Sequence, residues 1–220
     1  MKKRLIPTNC ENRATINYSM LPHFKSANIF RFFCLSLFRD KHYNVRKTLD
    51  ELKRITGDSL SNFNSQFKDF LRIKHYYLDN GFENKTKRCI YHIPPMELKC
   101  VTFSRKIIGI ELESEYIGFF MQLVLLSKFA DIKLTKNNII EKLEIDKKTY
   151  EKYIIELKLK DLIDIHNDKL ILKGEEYILE TDFKYQRIPS TAELTPKFIP
   201  NLIIKHKYII RKSKCSRVSK

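Results

Sequence analysis

Between Thr135 and Ile163 the chain reads TKNNIIEKLEIDKKTYEKYIIELKLKDLI. Ile139, Ile140 and Leu143 recur at steps of three and four, the spacing that collects side chains on one face of a helix. Ile145 fills the angle that follows. Tyr150, Tyr153 or Ile154, and Leu157 then resume the helical period. Thr135 and Asp146 stand where N-caps belong, with side-chain oxygens able to accept from exposed backbone N–H groups. The pattern predicts a short helix, a tight turn and a longer helix. Leu162 and Ile163 close its apolar side, and IDIH and KLIL flank the turn pair Asn167-Asp168, predicting two short strands in a hairpin.

The first half of the chain shows the same order more loosely. Ile29, Phe32, Phe33, Leu35 and Phe38 predict an amphipathic helix over 26–38 with Ser26 as its cap. TLDELKRIT (48–56) predicts a second helix. Thr48 and Glu51 form a capping box and Gly57 ends the helix in the left-handed region that glycine tolerates. Leu60, Phe63, Phe67 and Phe70 or Leu71 mark a third helix over 59–71. Two strands around Asp79-Asn80-Gly81 follow, stopped by Pro94-Pro95. Phe30, Phe32, Phe33 and Phe38 read as core. The helix from Tyr116 to Phe129 is apolar on nearly all faces, which suits the buried centre of the second half, with a homodimer contact as the alternative.

Residues 135–172 resemble the winged-helix family. Thr135, the pair Ile139 and Ile140, Ile145, the cap Asp146, Thr149 and Tyr150 stand where that family places its capping, apolar and first-turn residues. Glu144 departs from the pattern, because the turn there usually carries glycine, and a non-glycine residue in a left-handed turn costs about 1 kcal/mol or more. The resemblance extends by element order to 26–95. It implies a fold that is mainly α with small β-hairpin wings (α+β), as two winged-helix units in tandem, like plasmid and phage replication initiators and related regulators. It further implies sequence-specific binding of double-stranded DNA, at a replication origin or at an operator, in contact with replication or transcription machinery. The second helix would enter the major groove.

On that helix Lys147, Lys148, Glu151 and Lys152 lie on the solvent side and Thr149 sits where the family often meets a phosphate. Lysine reaches guanine O6 or N7, and glutamate accepts from cytosine N4. In the first half Ser61, Asn62, Asn64, Ser65 and Lys68 lie opposite the phenylalanine stripe, and asparagine suits the paired donor and acceptor of adenine. Lys85, Lys87 and Arg88 form a basic cluster on the expected wing. The plain alternative for each group is a solvated helix face or ordinary surface lysines.

Charge divides the chain unevenly. The expected organisation is a basic N-terminal arm (1–25), a divergent winged helix (26–95), a winged helix with the clear helix-turn-helix (96–180) and a basic C-terminal tail (181–220). These segments carry +4, +6, −2 and +8, which make up the formal net charge of +16. A balance this basic favours a polyanion. Phosphate neutralisation supplies most nonspecific affinity, so the first half and the tails are expected to carry much of it. The slightly acidic 96–180 segment leaves room for an alternative role as a protein-interaction adaptor.

Other chemistry is thinly represented. The five cysteines, Cys10, Cys34, Cys89, Cys100 and Cys215, form no CxxC pair and read as free thiols in a reducing cytoplasm. No run approaches the length needed to span a bilayer, so no membrane partner is expected. The histidines lack metal-ligand spacing, and no nucleophile elbow, phosphate loop or zinc-protease motif occurs. The chain therefore reads as a non-enzyme without a cofactor, the rival being a nucleic-acid enzyme whose site the pattern does not reveal.

Overall fold

In the computed structural model, which describes residues 4, 7–58, 81–82, 89–94 and 96–180, strand β1 (Arg13–Asn17) alternates outward Arg13 and Thr15 with fully buried Ala14 and Ile16. It runs antiparallel to β5 (Cys100–Ser104), with Ala14 opposite Phe103 and Ile16 opposite Val101. Those four side chains share the inner face, because opposed residues in an antiparallel pair point the same way. β8 (Ile178–Leu179) adds to the other edge of β5. A strand thus occupies part of the stretch expected as an N-terminal arm. It pairs across the boundary expected at 95/96.

A 3₁₀ helix links each of β1 and β5 to a long helix, α1 (Ser26–Ser36) and α3 (Ser114–Phe129) respectively. Both helices are buried nearly all round, as their apolar composition requires. They pack on each other at Gly118, where α3 meets the Ser26 backbone. The Ser26 hydroxyl donates to Gln122 Oε1 at 2.6 Å, and Gln122 Nε2 donates to the Phe24 carbonyl at 2.9 Å. Ser26 therefore does not cap α1. Lys25 holds that position without a side-chain bond, and the serine serves the helix–helix contact instead. Phe30, Phe32 and Phe33 are buried as expected, and Phe33 meets Phe103 edge-on at 6.4 Å. Phe38 is half-buried beneath the Lys47 ammonium.

After α1 come β2 (Asn44–Lys47) and α2 (Leu49–Thr56), then β3 (Gly81–Phe82) and β4 (Cys89–His92), with β4 between β2 and β3 in one sheet. The Thr48–Glu51 capping box forms and Gly57 takes φ 71°. Gly81 lies in a strand paired to β4, and the rest of the expected turn, Asp79 and Asn80, falls outside the described residues. The helix expected over 59–71 falls outside the described residues.

In the second half α3 is followed by α4 (Lys136–Leu143), α5 (Lys147–Leu159) and the hairpin β6 (Ile163–His166) and β7 (Lys169–Leu172). This is the element order read from the pattern. Asn167 and Asp168 take φ 50° and 58°, the two left-handed residues that a type I′ turn needs. Thr135 precedes α4 but makes no side-chain cap bond. It instead bridges to Lys169 of the hairpin.

Both halves begin with a strand, a 3₁₀ helix, a long buried helix, a short extended segment and an eight-residue helix, and both reach a hairpin. In the second half α5 stands between the eight-residue helix and the hairpin, while the matching stretch of the first half, 59–80, lies outside the described residues. In each the extended segment pairs with a hairpin strand, β2 with β4 and Thr135 with Lys169. In each the eight-residue helix follows a threonine and ends on a left-handed residue, Gly57 or Glu144. Among the described residues the fold is mixed α+β, with five α-helices and three small antiparallel sheets. The chain divides into Met1–Gln186 and Arg187–Lys220, the second unit lying outside the described residues. No helix among the described residues is long and apolar enough to cross a membrane.

Candidate nucleic-acid interface

The turn between α4 and α5 sets the angle at which α5 is presented. Glu144 takes φ 50° and ψ 43°, and the following Ile145 N–H donates to the Ile140 carbonyl at 3.2 Å, closing the end of α4. Asp146 then caps α5. Its Oδ1 accepts from the Thr149 N–H at 2.8 Å and its Oδ2 from the Thr149 hydroxyl at 2.6 Å. These bonds, the hydroxyl's first, hold the Asp146 carboxyl below its ordinary pKa. The buried stripe of α5 is Tyr150, Tyr153, Ile154 and Leu157, so both aromatic and aliphatic candidates for the middle position are used. Tyr153 lies 5.0 Å from Phe119 and 5.4 Å from Tyr116, ring to ring. Burial, with Glu115 nearby, pushes its phenol up to about 12.

The five residues singled out on this helix divide by what they touch. Lys147 and Lys148 are exposed at its first turn and form no salt bridge among the described residues. Thr149 spends its hydroxyl on Asp146. Glu151 accepts from Lys136 Nζ at 2.7 Å, joining α5 to α4, and that bond keeps its carboxyl below the ordinary range. Lys152 donates to Glu115 Oε1 at 2.8 Å, and its ammonium sits 5.2 Å from the centre of the Tyr116 ring. Its pKa is raised, chiefly by the Glu115 bond. The helix therefore offers two free cations at its N-terminal end, while the other three side chains are tied, Thr149 to the cap Asp146, Glu151 to α4 and Lys152 to α3. Ser61, Asn62, Asn64, Ser65, Lys68, Lys85, Lys87 and Arg88 lie outside the described residues.

Two features escaped the pattern. Ile155 and Leu159 stand 59% and 74% exposed on the outer face of α5, a pair four residues apart that the stripe 150–153–154–157 leaves unused. A helical wheel would have found them. The second is a cleft beside the outer face of β1, built from Glu11 to Thr102. No local signal marks it, since its walls come from four separate stretches of chain. No group of metal-ligating side chains occurs among the described residues.

Comparison of the chain with protein-family models, with curated proteins and with solved structures found no match.

Proposed function

We propose that this protein binds double-stranded DNA sequence-specifically through winged-helix units. The observation that carries the reading is the 135–172 assembly: a helix, a left-handed turn at Glu144, a helix offering Lys147 and Lys148, and a type I′ hairpin. A helix held at a fixed angle with free cations at its N-terminal end suits insertion into a major groove. The partly repeated element order, in which the first half has no described counterpart of α5, is the support for a tandem of two such units, and the net charge of +16 supports a polyanionic partner. Replication initiation of a plasmid or phage is the preferred role, with operator binding by a transcription regulator as the alternative. Both rest on the resemblance of the 135–172 sequence.

Titration against random duplex DNA at two salt concentrations, followed by selection of the bound sequences, tests the reading. Salt-sensitive binding with an enriched motif is the expected result, and a palindromic motif would indicate a homodimer. No binding at low salt would overturn it.

A second reading is favoured by Ile155 and Leu159. Exposed aliphatic side chains on the outer face of α5 suit a protein partner better than a phosphate backbone. In an adaptor of that kind, Lys147→Glu with Lys148→Glu would leave function intact and Leu159→Asp would abolish it.

A further inference from the structure

The cleft beside β1 has a volume of about 540 Å³, within the range of small-molecule sites. One side is the outer face of the sheet, where Thr15 and Thr102 hydroxyls lie 2.9 Å apart. Its floor is apolar, with Met20, Phe32 and Ile93 almost fully buried. Arg13 and Arg39 both line it. Arg39 is fixed in place, its Nη1 donating to the carbonyls of Arg13 at 3.2 Å and Ser36 at 3.1 Å. Neither guanidinium forms a salt bridge among the described residues, although a carboxylate is the usual companion of a half-buried arginine. Burial lowers the Arg39 pKa most. Glu11 and Tyr43 act against that, and the Arg13 charge adds to it. Two cations thus repel each other across one cavity.

The acids of the cleft, Glu11 and Asp40, offset these cations only in part. Asp40 is committed to the backbone: its Oδ1 accepts from the N–H groups of His42 at 2.7 Å and Asn44 at 2.9 Å. Glu11 lies near Arg39 but beyond ion-pair distance, and Lys41 adds a third cation at the exposed rim. Tyr43, also at the rim, holds φ 62°, a conformation that costs a bulky residue free energy and that clusters at ligand sites. It is clamped there by its N–H bond to the Asp40 carbonyl and by the Ile93 N–H, both at 2.9 Å.

We propose that this cleft binds a small phosphate ester of the nucleoside phosphate class. The phosphate lies between Arg13 and Arg39, and the base and sugar lie over the Met20, Phe32 and Ile93 floor. Arginine forks match phosphate oxygens two at a time, and an apolar floor takes the flat face of a base. The same cations could instead receive a phosphate of the DNA backbone, so the experiment separates the two sources.

Calorimetric titration of the full chain with AMP, ATP, adenosine and inorganic phosphate is the test. Saturable binding of a nucleoside phosphate is expected, with adenosine weaker by about tenfold, as loss of a charge-assisted hydrogen-bond pair implies. Arg13→Met should weaken the nucleotide by about tenfold or more without changing the thermal melt, since that side chain holds no other part of the fold. Arg39→Lys, which keeps the charge but loses the fork, should weaken it as well. Lys147→Glu with Lys148→Glu should leave nucleotide binding unchanged, which separates this site from the DNA reading. Absence of saturable binding at millimolar nucleotide, or equal binding by the Arg13→Met variant, would overturn the proposal. So would loss of duplex DNA affinity in Arg13→Met with no nucleotide bound, because the cations would then serve backbone phosphates.

Discussion

Gly118 of α3 lies so close to the Ser26 carbonyl at the start of α1 that a β-carbon at position 118 would overlap it. The contact is to backbone, which cannot swing aside as the end of a side chain can. Alanine is the better helix former by about 1 kcal/mol, yet here it has no room. Gly118→Ala should lower stability by about 1–3 kcal/mol through overpacking, read from urea denaturation. A more stable variant would show that the two helices do not approach this closely.

Gln122 sits one turn along from Gly118, buried between the two helices with both ends of its amide bonded, to Ser26 and to the Phe24 carbonyl. Gln122→Ala removes one hydrogen-bond partner from each of those buried groups. A loss of about 1–3 kcal/mol follows from their desolvation. Gln122→Glu should be worse at neutral pH, because a carboxylate accepts but cannot donate to the Phe24 carbonyl. Equal melts for the two variants would count against the clasp.

The turn residue Glu144 offers the opposite sign. Its φ of 50° lies where a β-carbon is strained. Glu144→Gly removes that strain at some expense in unfolded-chain entropy. The expected outcome is a gain of about 0.5 kcal/mol, measured as a raised melting temperature with an unchanged circular dichroism spectrum. A clear loss would mean that the Glu144 side chain makes a contact more valuable than the strain it carries.

Acid should weaken the start of α2. Burial works to raise the Glu51 pKa, but the Thr48 N–H, the Lys47 ammonium and the Thr48 hydroxyl outweigh it and the net shift is downward. A carboxylate depressed by folding stabilises the native state above its unfolded pKa of about 4.3. That contribution disappears as pH falls through the lower folded value. Thr48→Ala should cost about 1 kcal/mol at neutral pH and progressively less in acid. A difference between wild type and variant that stays constant down to low pH would contradict this.

On α5 the free and the tied side chains should separate experimentally. Lys147→Glu and Lys148→Glu should each reduce duplex affinity and flatten the salt dependence by about one counterion, with little effect on folding. Glu151→Gln removes only the charge attraction from the link to Lys136, an exposed pair contributing up to about 1 kcal/mol, and should spare DNA affinity. If Glu151→Gln proved as damaging to binding as the lysine changes, Glu151 would have to contact DNA itself.

Much of the second half was legible because its determinants are local. The Asp146 cap closes on a residue three positions away, the Asn167-Asp168 turn within two, and the stripe Tyr150 to Leu157 within two helical turns. Such features depend on neighbouring residues alone, so the 135–172 stretch determined its own helices, turn and hairpin. The same locality explains the Thr48–Glu51 box and the left-handed Gly57. Only the tertiary structure decided the rest. Thr15 meets Thr102 across 87 positions and Lys152 meets Glu115 across 37. A five-residue strand with no hairpin partner nearby carries too little periodicity to announce β1. Whether a cation on a predicted outer face is free or tied depends on which acid a distant helix places beside it. That is why Lys147 and Lys152, five residues apart on one helix, are indistinguishable in sequence and differ in the fold.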